Sequence, residues 1–308
     1  MKQPVAVVAG GSRGLGLLIA RELLGYGYRV SLCARDGEEL ARATEWLAAP
    51  GRVHTRVCDI TDRPAVAAWL EQVEDDLGPV EVAITVAGII QVGPGPALTL
   101  APFDTAIDIM LRGPITVARL VEPGMRRRRR GRIGTVTSIG GVVSPPHLLP
   151  YAAAKFGAVG FSDGLAASLA GSGVTATTIV PGLMRTGSQD QAVFTGDAPA
   201  EHAWFATAAS LPLLSMDADV AARRIVEGVL AGRPLVVLTP LTWLAFRFRG
   251  LFPGTTTRLM GVVNRLLPQA TGNSVEVDGA TAEAQRPSAL VQALTTLGRA
   301  AAARNNER

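Results

Sequence analysis

The chain has 308 residues, of which 48% are hydrophobic and 18% are charged, and its formal net charge is +4. A chain of this length and apolar content can bury a sizeable core, which excludes a disordered protein. The small basic excess lies largely in Arg126 to Arg130, a run typical of a solvated helix end. With aromatic residues at only 5%, we expect no nucleic-acid partner.

The two cysteines, Cys33 and Cys58, have neither metal-ligand spacing nor a disulfide framework. Residues 5–10 run directly into a glycine loop, which indicates a folded start rather than a signal peptide. No stretch reaches the roughly 18 uninterrupted apolar residues of a spanning helix. We therefore expect a cytoplasmic protein.

Short apolar runs, which predict buried strands, alternate with longer runs of helical apolar spacing. The predicted strands are residues 5–10, 29–35, 52–60, 80–88, 131–138, 174–182 and 234–240. The predicted helices are residues 15–27, 36–49, 62–78, 103–129, 151–173 and 217–232. This alternation predicts an α/β fold: a Rossmann-type, doubly wound parallel sheet with right-handed crossovers.

The turn from the first strand into the first helix reads AGGSRGLG, with glycines at Gly10, Gly14 and Gly16. Glycines allow a tight turn and a close approach of the backbone to a phosphate, which the N–H groups at the helix start can bind. A plain tight turn is the alternative. The strand–turn–helix context favours a dinucleotide site.

The spacing G-x-x-x-G-x-G, together with YAAAK at residues 151–155, resembles the short-chain dehydrogenase/reductase family over about residues 3–232. The resemblance implies a nicotinamide-dependent oxidoreductase that is a homodimer or homotetramer. It also implies cofactor contacts beyond the three glycines, from Ser12, Arg13, Leu15, Ile60, Ala87 and Gly88.

The end of the second strand separates NAD from NADP, because an acid there favours the ribose hydroxyl and a base favours the 2′-phosphate. The sequence places Arg35 there, and Arg13 in the glycine loop adds a second cation. Guanidinium groups suit a phosphate, so we expect NADP(H). Asp36 opposes this, but it is better placed to cap the next helix. Asp59 matches the family's adenine-contacting Asp, with a strand-end turn residue as the alternative.

Tyr151 and Lys155 are four residues apart on a predicted helix and therefore share one face. Lys155 is the only internal lysine of the chain. A nearby ammonium lowers a tyrosine pKa, so Tyr151 is a candidate acid/base at a carbonyl or alcohol. Ser138 ends the fifth strand and can hold the substrate oxygen. An ordinary pair on a helix surface is the alternative.

The segment PGLMRT at residues 181–186 also matches the family. The match implies that Pro181 and Gly182 turn the chain beneath the nicotinamide. It implies further that Leu183 and Thr186 contact the carboxamide or the diphosphate.

Two positions depart from the family. The fourth strand ends in TVAG, with Thr85 and Val86 where the family has Asn-Asn, and Met110 replaces the Asn that supports a proton relay to the lysine. Methionine has no donor, so the departure puts catalytic efficiency in doubt more than cofactor binding.

The domain prediction assigns residues 1–240 to one catalytic domain in which residues 183–216 form a substrate lid. The lid contains Phe194, Trp204, Phe205 and Leu211, which would either line an apolar substrate wall or pack the lid onto the body. His147 and His202 flank the expected site and are typical of loop or packing histidines.

Residues 241–268 are predicted to form an amphipathic helical extension, and 269–308 a polar, loosely ordered tail. The stretch 241–267 would cover the pocket, form a subunit contact or lie peripherally on a membrane.

The leading hypothesis is an NADP(H)-dependent interconversion of a carbonyl and a secondary alcohol on an apolar small molecule. Ser138, Tyr151 and Lys155 would be the catalytic residues. The alternative is a cofactor-binding regulator or scaffold with little turnover, which Met110 and the TVAG segment motivate. The sequence names neither the substrate nor the physiological direction.

Overall fold

A computed structural model describes residues 3–211 and 215–307 of the chain. Its strands are β1 Val5–Ala9, β2 Arg29–Ala34, β3 Val53–Val57, β4 Val80–Thr85, β5 Gln91–Val92, β6 Gly131–Val136, β7 Val174–Val180, β8 Leu183–Arg185, β9 Val193–Phe194, β10 Ser215–Asp217, β11 Leu235–Val237 and β12 Val277–Asp278.

The helices are α1 Gly14–Gly25, α2 Gly37–Leu47, α3 Arg63–Asp76, α4 Ala101–Ile107, α5 Gly113–Arg128, α6 Leu149–Ser168, α7 Ala198–Ser210, α8 Ala218–Leu230, α9 Pro240–Leu251, α10 Pro253–Asn264, α11 Gly279–Gln285, α12 Ala289–Leu294 and α13 Thr296–Arg304. A π-helical turn, Asp108–Arg112, joins α4 to α5. In the described parts of the chain, no helix combines the length and the apolar character needed to cross a membrane.

Seven strands form one parallel sheet in the order β11-β7-β6-β4-β1-β2-β3. The chain moves outward from β1 to β3 on one side and then crosses back to β4 on the other. This reversal between β1 and β4 is the topological switch point of a doubly wound fold, where ligands bind at the carboxyl ends of the strands. The predicted Rossmann-type sheet is confirmed.

Alternate residues of β1 enter two separate hydrophobic cores. Ala6 and Val8 pack against the face covered by α1, α2 and α8, and Val5, Val7 and Ala9 pack against the opposite face. The period of two along a strand sends successive side chains to opposite faces. Because both faces are covered, the parallel strands consist of nearly continuous apolar residues.

The arginine run closes α5, as predicted for a helix end. Arg126 pairs with Glu122 at 2.7 Å, and Arg130 pairs with Glu81 at 2.9 Å. The guanidinium of Arg128 donates to the Val80 carbonyl at 2.8 Å. Cations at this end complement the helix dipole.

Helix α7 occupies the predicted lid, where the sequence shows no periodicity; residues 212–214 of that segment lie outside the described residues. Two helices occupy the predicted extension, and each begins with proline at its first position, where the missing N–H costs nothing.

The tail differs from the prediction of loosely ordered chain, because it holds α11, α12 and α13. Asp278 caps α11 by accepting from the Thr281 N–H at 2.9 Å. Ala282 and Ala302 are fully buried. Because alanine side chains are small, these helices can approach the lid closely. A run of alanines in the sequence does not indicate such packing.

Candidate active site

A cleft of about 1420 Å³ lies at the carboxyl ends of the sheet strands, beside the switch point. It brings together almost the whole predicted set: Gly10, Ser12, Arg13, Gly14, Leu15, Gly16, Arg35, Asp59, Ile60, Ala87, Gly88, Ser138, Tyr151, Lys155, Pro181, Gly182 and Thr186. Leu183 lies instead in β8, paired with Ser215, and its neighbour Met184 lines the cleft.

The glycine loop folds so tightly that side chains are excluded. A Cβ on Gly16 would lie 1.9 Å from the Gly10 carbonyl oxygen, and one on Gly10 would lie 2.5 Å from the Ala87 nitrogen. Gly10 also has a φ of +87°, which L side chains rarely adopt. The loop therefore offers bare backbone and the start of α1 to the cleft, as a dinucleotide diphosphate requires.

At the far end of the loop, the two predicted phosphate-binding arginines have different surroundings. Arg13 forms an ion pair with Glu39 at 2.7 Å, and the Ser12 hydroxyl donates to the same carboxylate at 2.8 Å. Arg35 is exposed and lines the cleft. The sequence analysis missed Glu39, because an acid in the first turn of α2 is typical of an ordinary helix start.

Two aspartates at this end hold local turns. The carboxylate of Asp36 accepts from the Glu38 and Glu39 N–H groups at 2.8 and 3.0 Å, so it caps α2 as predicted. Asp59 accepts from both the N–H and the hydroxyl of Thr61 at 2.8 Å. Asp59 thus combines the turn role, which was the alternative, with a place in the cleft wall.

Ser138 and Tyr151 meet at the opposite end of the cleft. Ser138 follows β6, and its hydroxyl accepts from the Gly140 N–H at 3.0 Å. A Cβ on Gly140 would lie 2.9 Å from Cε1 of the Tyr151 ring and 3.5 Å from the Ser138 hydroxyl, so the glycine lets these two side chains approach each other. Burial raises the pKa of Tyr151, and the Ser138 hydroxyl opposes that rise.

Lys155 lies one turn further along α6 and is buried. Its ammonium donates to the Val136 carbonyl at 2.9 Å and lies 5.7 Å from the centroid of the Tyr151 ring. Burial lowers the pKa of Lys155 to about 8. The sequence predicts that Lys155 lowers the pKa of Tyr151, and this prediction is wrong: burial is the largest influence on Tyr151 and raises its pKa.

Met110 lies in the π-helical turn and is buried in the core that also contacts Tyr151 and Ala87. Its sulfur would be 3.4 Å from a Cβ on Gly88. Methionine therefore fills with apolar atoms the position where the family has an amide. Single π-helical turns inside α-helices occur frequently at functional sites.

The lid aromatics pack the lid onto the body. Phe194 is fully buried against Phe205, with ring centroids 6.1 Å apart, in a cluster that also includes Leu148 and Ala282. The apolar cleft wall beside Tyr151 comes from other residues: Ile89, Ile90, Pro102, Ile109 and Val193.

Both flanking histidines have the packing roles expected for them. His147 is buried, and its Nδ1 lies 2.9 Å from a carboxylate oxygen of Glu201 in α7. The same carboxylate accepts from the Trp204 indole at 2.7 Å. His202 packs edge-on against Phe194.

Gln91 and Glu307 also line the cleft, and the sequence analysis singled out neither. Gln91 is buried, and no partner for its Oε1 exists among the described residues. A lone glutamine in a two-residue strand gives no sequence signal. Glu307 comes from the far end of the chain, so only the tertiary structure could bring it here.

The family model described as short chain dehydrogenase matches residues 4–194. The chain therefore belongs to the short-chain dehydrogenase/reductase family.

Among its relatives is the granaticin polyketide synthase putative ketoacyl reductase 1 of Streptomyces violaceoruber. That protein is 34% identical over 190 residues, which cover 60% of this chain and 69% of the relative. Acetoacetyl-CoA reductase of Paracoccus denitrificans is 36% identical over 183 residues, which cover 59% of this chain and 74% of the relative.

A solved variant of actinorhodin polyketide ketoreductase with NADPH superposes with a TM-score of 0.67 at 27% identity, covering 77% of this chain and 97% of that chain. A short-chain dehydrogenase from Streptomyces avermitilis has a TM-score of 0.74 at 24% identity, covers 85% of this chain and 98% of that chain, and supports the fold alone. Family and relatives together support an NAD(P)-dependent oxidoreductase that interconverts carbonyls and alcohols.

Proposed function

We propose that the protein is an NADP(H)-dependent oxidoreductase that interconverts a carbonyl and a secondary alcohol at Ser138, Tyr151 and Lys155. One observation carries the proposal: the neighbouring side chains of Ser138 and Tyr151 and the buried Lys155 line the same cleft as the glycine loop.

The bound nicotinamide would supply or accept the hydride. In the direction of reduction, the Tyr151 hydroxyl gives its proton to the substrate oxygen while the Ser138 hydroxyl holds that oxygen in place. Lys155, with a pKa of about 8, is poised to exchange a proton near neutral pH and to bind the ribose. In oxidation, the tyrosine takes the proton back.

The glycine cradle fits a dinucleotide, and the arginines support NADP. Arg35 is exposed in the cleft and forms no ion pair with any described residue, whereas Arg13 must exchange Glu39 for the 2′-phosphate. Asp36 is engaged in capping α2, which weakens its case as a ribose ligand. The relative solved with NADPH adds support.

The substrate is proposed to be an apolar ketone or alcohol, because isoleucine, proline and valine side chains form the wall beside Tyr151. Relatives named as ketoacyl reductases and as acetoacetyl-CoA reductase direct the first screen to 3-ketoacyl thioesters. The amide of Gln91, which lines the cleft and whose Oε1 has no partner among the described residues, is a candidate for a polar contact with such a substrate.

The test has two steps. NADPH and NADH are titrated side by side by fluorescence, with Arg35→Ala as the probe and Arg63→Ala, an exposed arginine of α3, as the matched control. We expect NADPH to bind more tightly than NADH, and Arg35→Ala alone to remove the difference. A ketone screen with NADPH follows, in which turnover must vanish in Tyr151→Phe. Equal affinities for both cofactors would reject the NADP assignment.

A cofactor-binding regulator with little turnover is the second candidate, favoured by the apolar Met110 in the relay position. It predicts NADPH binding without turnover on any carbonyl of the screen. Turnover that depends on Tyr151 rejects it. Sedimentation of the purified protein tests the proposed homodimer or homotetramer.

A further inference from the structure

The segment 305–307, here called the docked segment, lies in the cofactor cleft against the glycine loop. The Gly14 N–H donates to the Asn305 carbonyl at 2.8 Å. The side-chain amide of Asn306 donates to the Ser12 carbonyl at 2.8 Å and to the Glu39 carbonyl at 3.1 Å. The Asn306 side chain also accepts from the Arg42 guanidinium at 3.1 Å. These four hydrogen bonds join chain positions 264 to 294 residues apart in the sequence.

The docked segment uses the groups that a diphosphate would need. Gly14 begins α1, and the first N–H groups of a helix have no partner within the helix. Asn305 takes one of them. The carboxyl of Glu307 lies over the loop, with Oε1 2.1 Å from where a Cβ on Gly14 would be. The space that glycine leaves open for a phosphate is therefore filled by this side chain.

The carboxyl of Glu307 makes the docked segment easy for a ligand to displace. Glu307 is 8% exposed, and its Oε2 has no hydrogen-bond partner among the described residues. Burial raises the pKa of Glu307 to about 7, which outweighs the opposing effect of Arg13. A buried carboxyl with an unpaired oxygen is costly to keep, so a ligand that binds the loop better can displace it.

We propose that the docked segment is an intramolecular competitor of the nicotinamide cofactor, which must leave the glycine loop before the diphosphate binds. The proposal rests on the proposed function of the cleft. The segment follows directly from α13, which packs closely on the lid: a Cβ on Gly298 would lie 2.6 Å from the Ser210 hydroxyl. Cofactor entry is thereby linked to the lid.

The experiment compares the full chain with a variant ending at Arg304 and with Asn306→Ala, which removes the three of these four bonds that the Asn306 side chain makes. NADPH affinity is measured by fluorescence, and hydrogen exchange at Gly14 is measured without cofactor. We expect affinity to rise about tenfold or more in the shortened variant, because the cofactor no longer has to displace several ordinary hydrogen bonds, with Asn306→Ala in between. Exchange at Gly14 should accelerate in both variants.

Equal NADPH affinity of all three proteins would overturn the proposal that the docked segment competes with the cofactor. A shortened variant that exchanges faster at Gly14 yet binds neither NADPH nor NADH would refute the proposed function, and with it the competition. Unchanged exchange at Gly14 would show that the segment does not dock in solution.

A second surface carries an independent inference. Helices α9 and α10 with the following residues to Leu266 form a hairpin, here called the apolar hairpin, whose large side chains are exposed: Leu241, Trp243, Leu244, Leu251, Phe252 and Leu266. So many exposed large apolar side chains on two successive helices indicate a partner or a membrane.

The charge of the apolar hairpin selects between these occupants. It carries Arg247, Arg249, Arg258 and Arg265, and the sequence holds no acidic residue between Glu227 and Glu276. A second copy would bring the same cations face to face, whereas anionic lipid headgroups complement them. An apolar face bordered by arginine and tryptophan is typical of a helix lying in a bilayer interface.

The hairpin is also joined to the active site. A Cβ on Gly182, which lines the cleft, would lie 2.5 Å from the Thr242 hydroxyl of α9. Ile139, next to Ser138, packs in a cluster with Ala245 and Phe246. We infer that the apolar hairpin docks on an anionic bilayer surface, which places the catalytic loop near lipid.

Co-sedimentation of the full chain with phosphatidylcholine vesicles, with and without about one third phosphatidylglycerol, tests this inference. We expect binding only to the anionic vesicles, weakened by salt, and at least about tenfold weaker for Trp243→Ser/Leu251→Ser. Both replaced side chains are exposed, so the fold is retained. No binding at low salt overturns the inference, as does a dimer that the same double variant dissociates.

Discussion

The carboxylate of Glu201 joins the lid to the loop between Ser138 and Tyr151. Replacing Glu201 by alanine gives the stability prediction that the structure specifies best. Glu201 is fully buried, and it bonds to His147 at 2.9 and 3.0 Å and to the Trp204 indole at 2.7 Å. The variant Glu201→Ala leaves both partners without their acceptor. His147 lies in the loop between Ser138 and Tyr151, so the loss reaches the catalytic end of the cleft.

The magnitude follows from these contacts. Removing one partner of a buried ion pair costs about 3–5 kcal/mol. If His147 is neutral, two unpaired buried groups at about 1–3 kcal/mol each give a similar sum. We therefore expect the free energy of unfolding to fall by about 3–5 kcal/mol. Glu201→Gln keeps one acceptor and should lose roughly half as much.

Urea unfolding followed by circular dichroism measures the loss, and hydrogen exchange reports whether α7 opens first. Glu71→Ala, an exposed position on α3, is the control and should stay within about 0.5 kcal/mol of wild type. The double variant His147→Ala/Glu201→Ala should cost less than the sum of its singles. A Glu201→Ala loss below about 1 kcal/mol, or strict additivity with His147→Ala, would refute the reasoning.

Three further predictions concern the cleft. In Gly140→Ala, the added Cβ would lie 2.9 Å from the Tyr151 ring and push the ring away. Because a misplacement of about 1 Å lowers a catalytic rate about 10²-fold, kcat should fall by that order in a steady-state assay. Gly16→Ala should abolish NADPH binding in a fluorescence titration, since its Cβ would lie 1.9 Å from the Gly10 carbonyl oxygen. Burial lowers the pKa of Lys155 from 10.5 to about 8, so between these pH values the unfolded chain holds a proton that the folded chain has released. Stability relative to Lys155→Met should therefore increase by roughly 3 kcal/mol as pH rises from 8 to 10.5, as measured by urea unfolding at each pH.

Gly164→Ala is the matched control for both glycine variants, because an added methyl there meets no atom within 4 Å. It should leave cofactor binding and kcat unchanged. Full activity of Gly140→Ala would show that the ring approach does not matter. A stability difference for Lys155→Met that is flat between pH 8 and 10.5 would show that the lysine is not desolvated as the structure indicates.

The glycine loop, the alternation of strands and helices and the shared face of Tyr151 and Lys155 were all predictable, because each depends on chemistry that is local in sequence. Gly10 and Gly16 are required by a turn within a few residues of themselves. The alternation of apolar periods in the first 240 residues determines a doubly wound sheet, whose parallel strands bring their carboxyl ends to one edge. Tyr151 and Lys155 share a face because they are one helical turn apart.

What the sequence missed depends on contacts between distant segments. Glu39 reaches Arg13 across 26 residues, and Asn306 reaches Ser12 across 294. The direction of the Lys155 ammonium, and with it the pKa of Tyr151, follows from the Val136 carbonyl and from burial. No sequence motif specifies the direction of this ammonium or the pKa of Tyr151.

The sequence by itself determined the class of fold, the tight glycine turn and the shared helix face of Tyr151 and Lys155, since hydrophobic period, turn chemistry and helical spacing act over short distances. Only the tertiary structure decided that the lid aromatics serve packing and that the tail folds into helices. It alone placed segment 305–307 on the glycine loop. Those outcomes depend on which surfaces come into contact when the chain folds. The sequence pattern does not specify these contacts between distant segments.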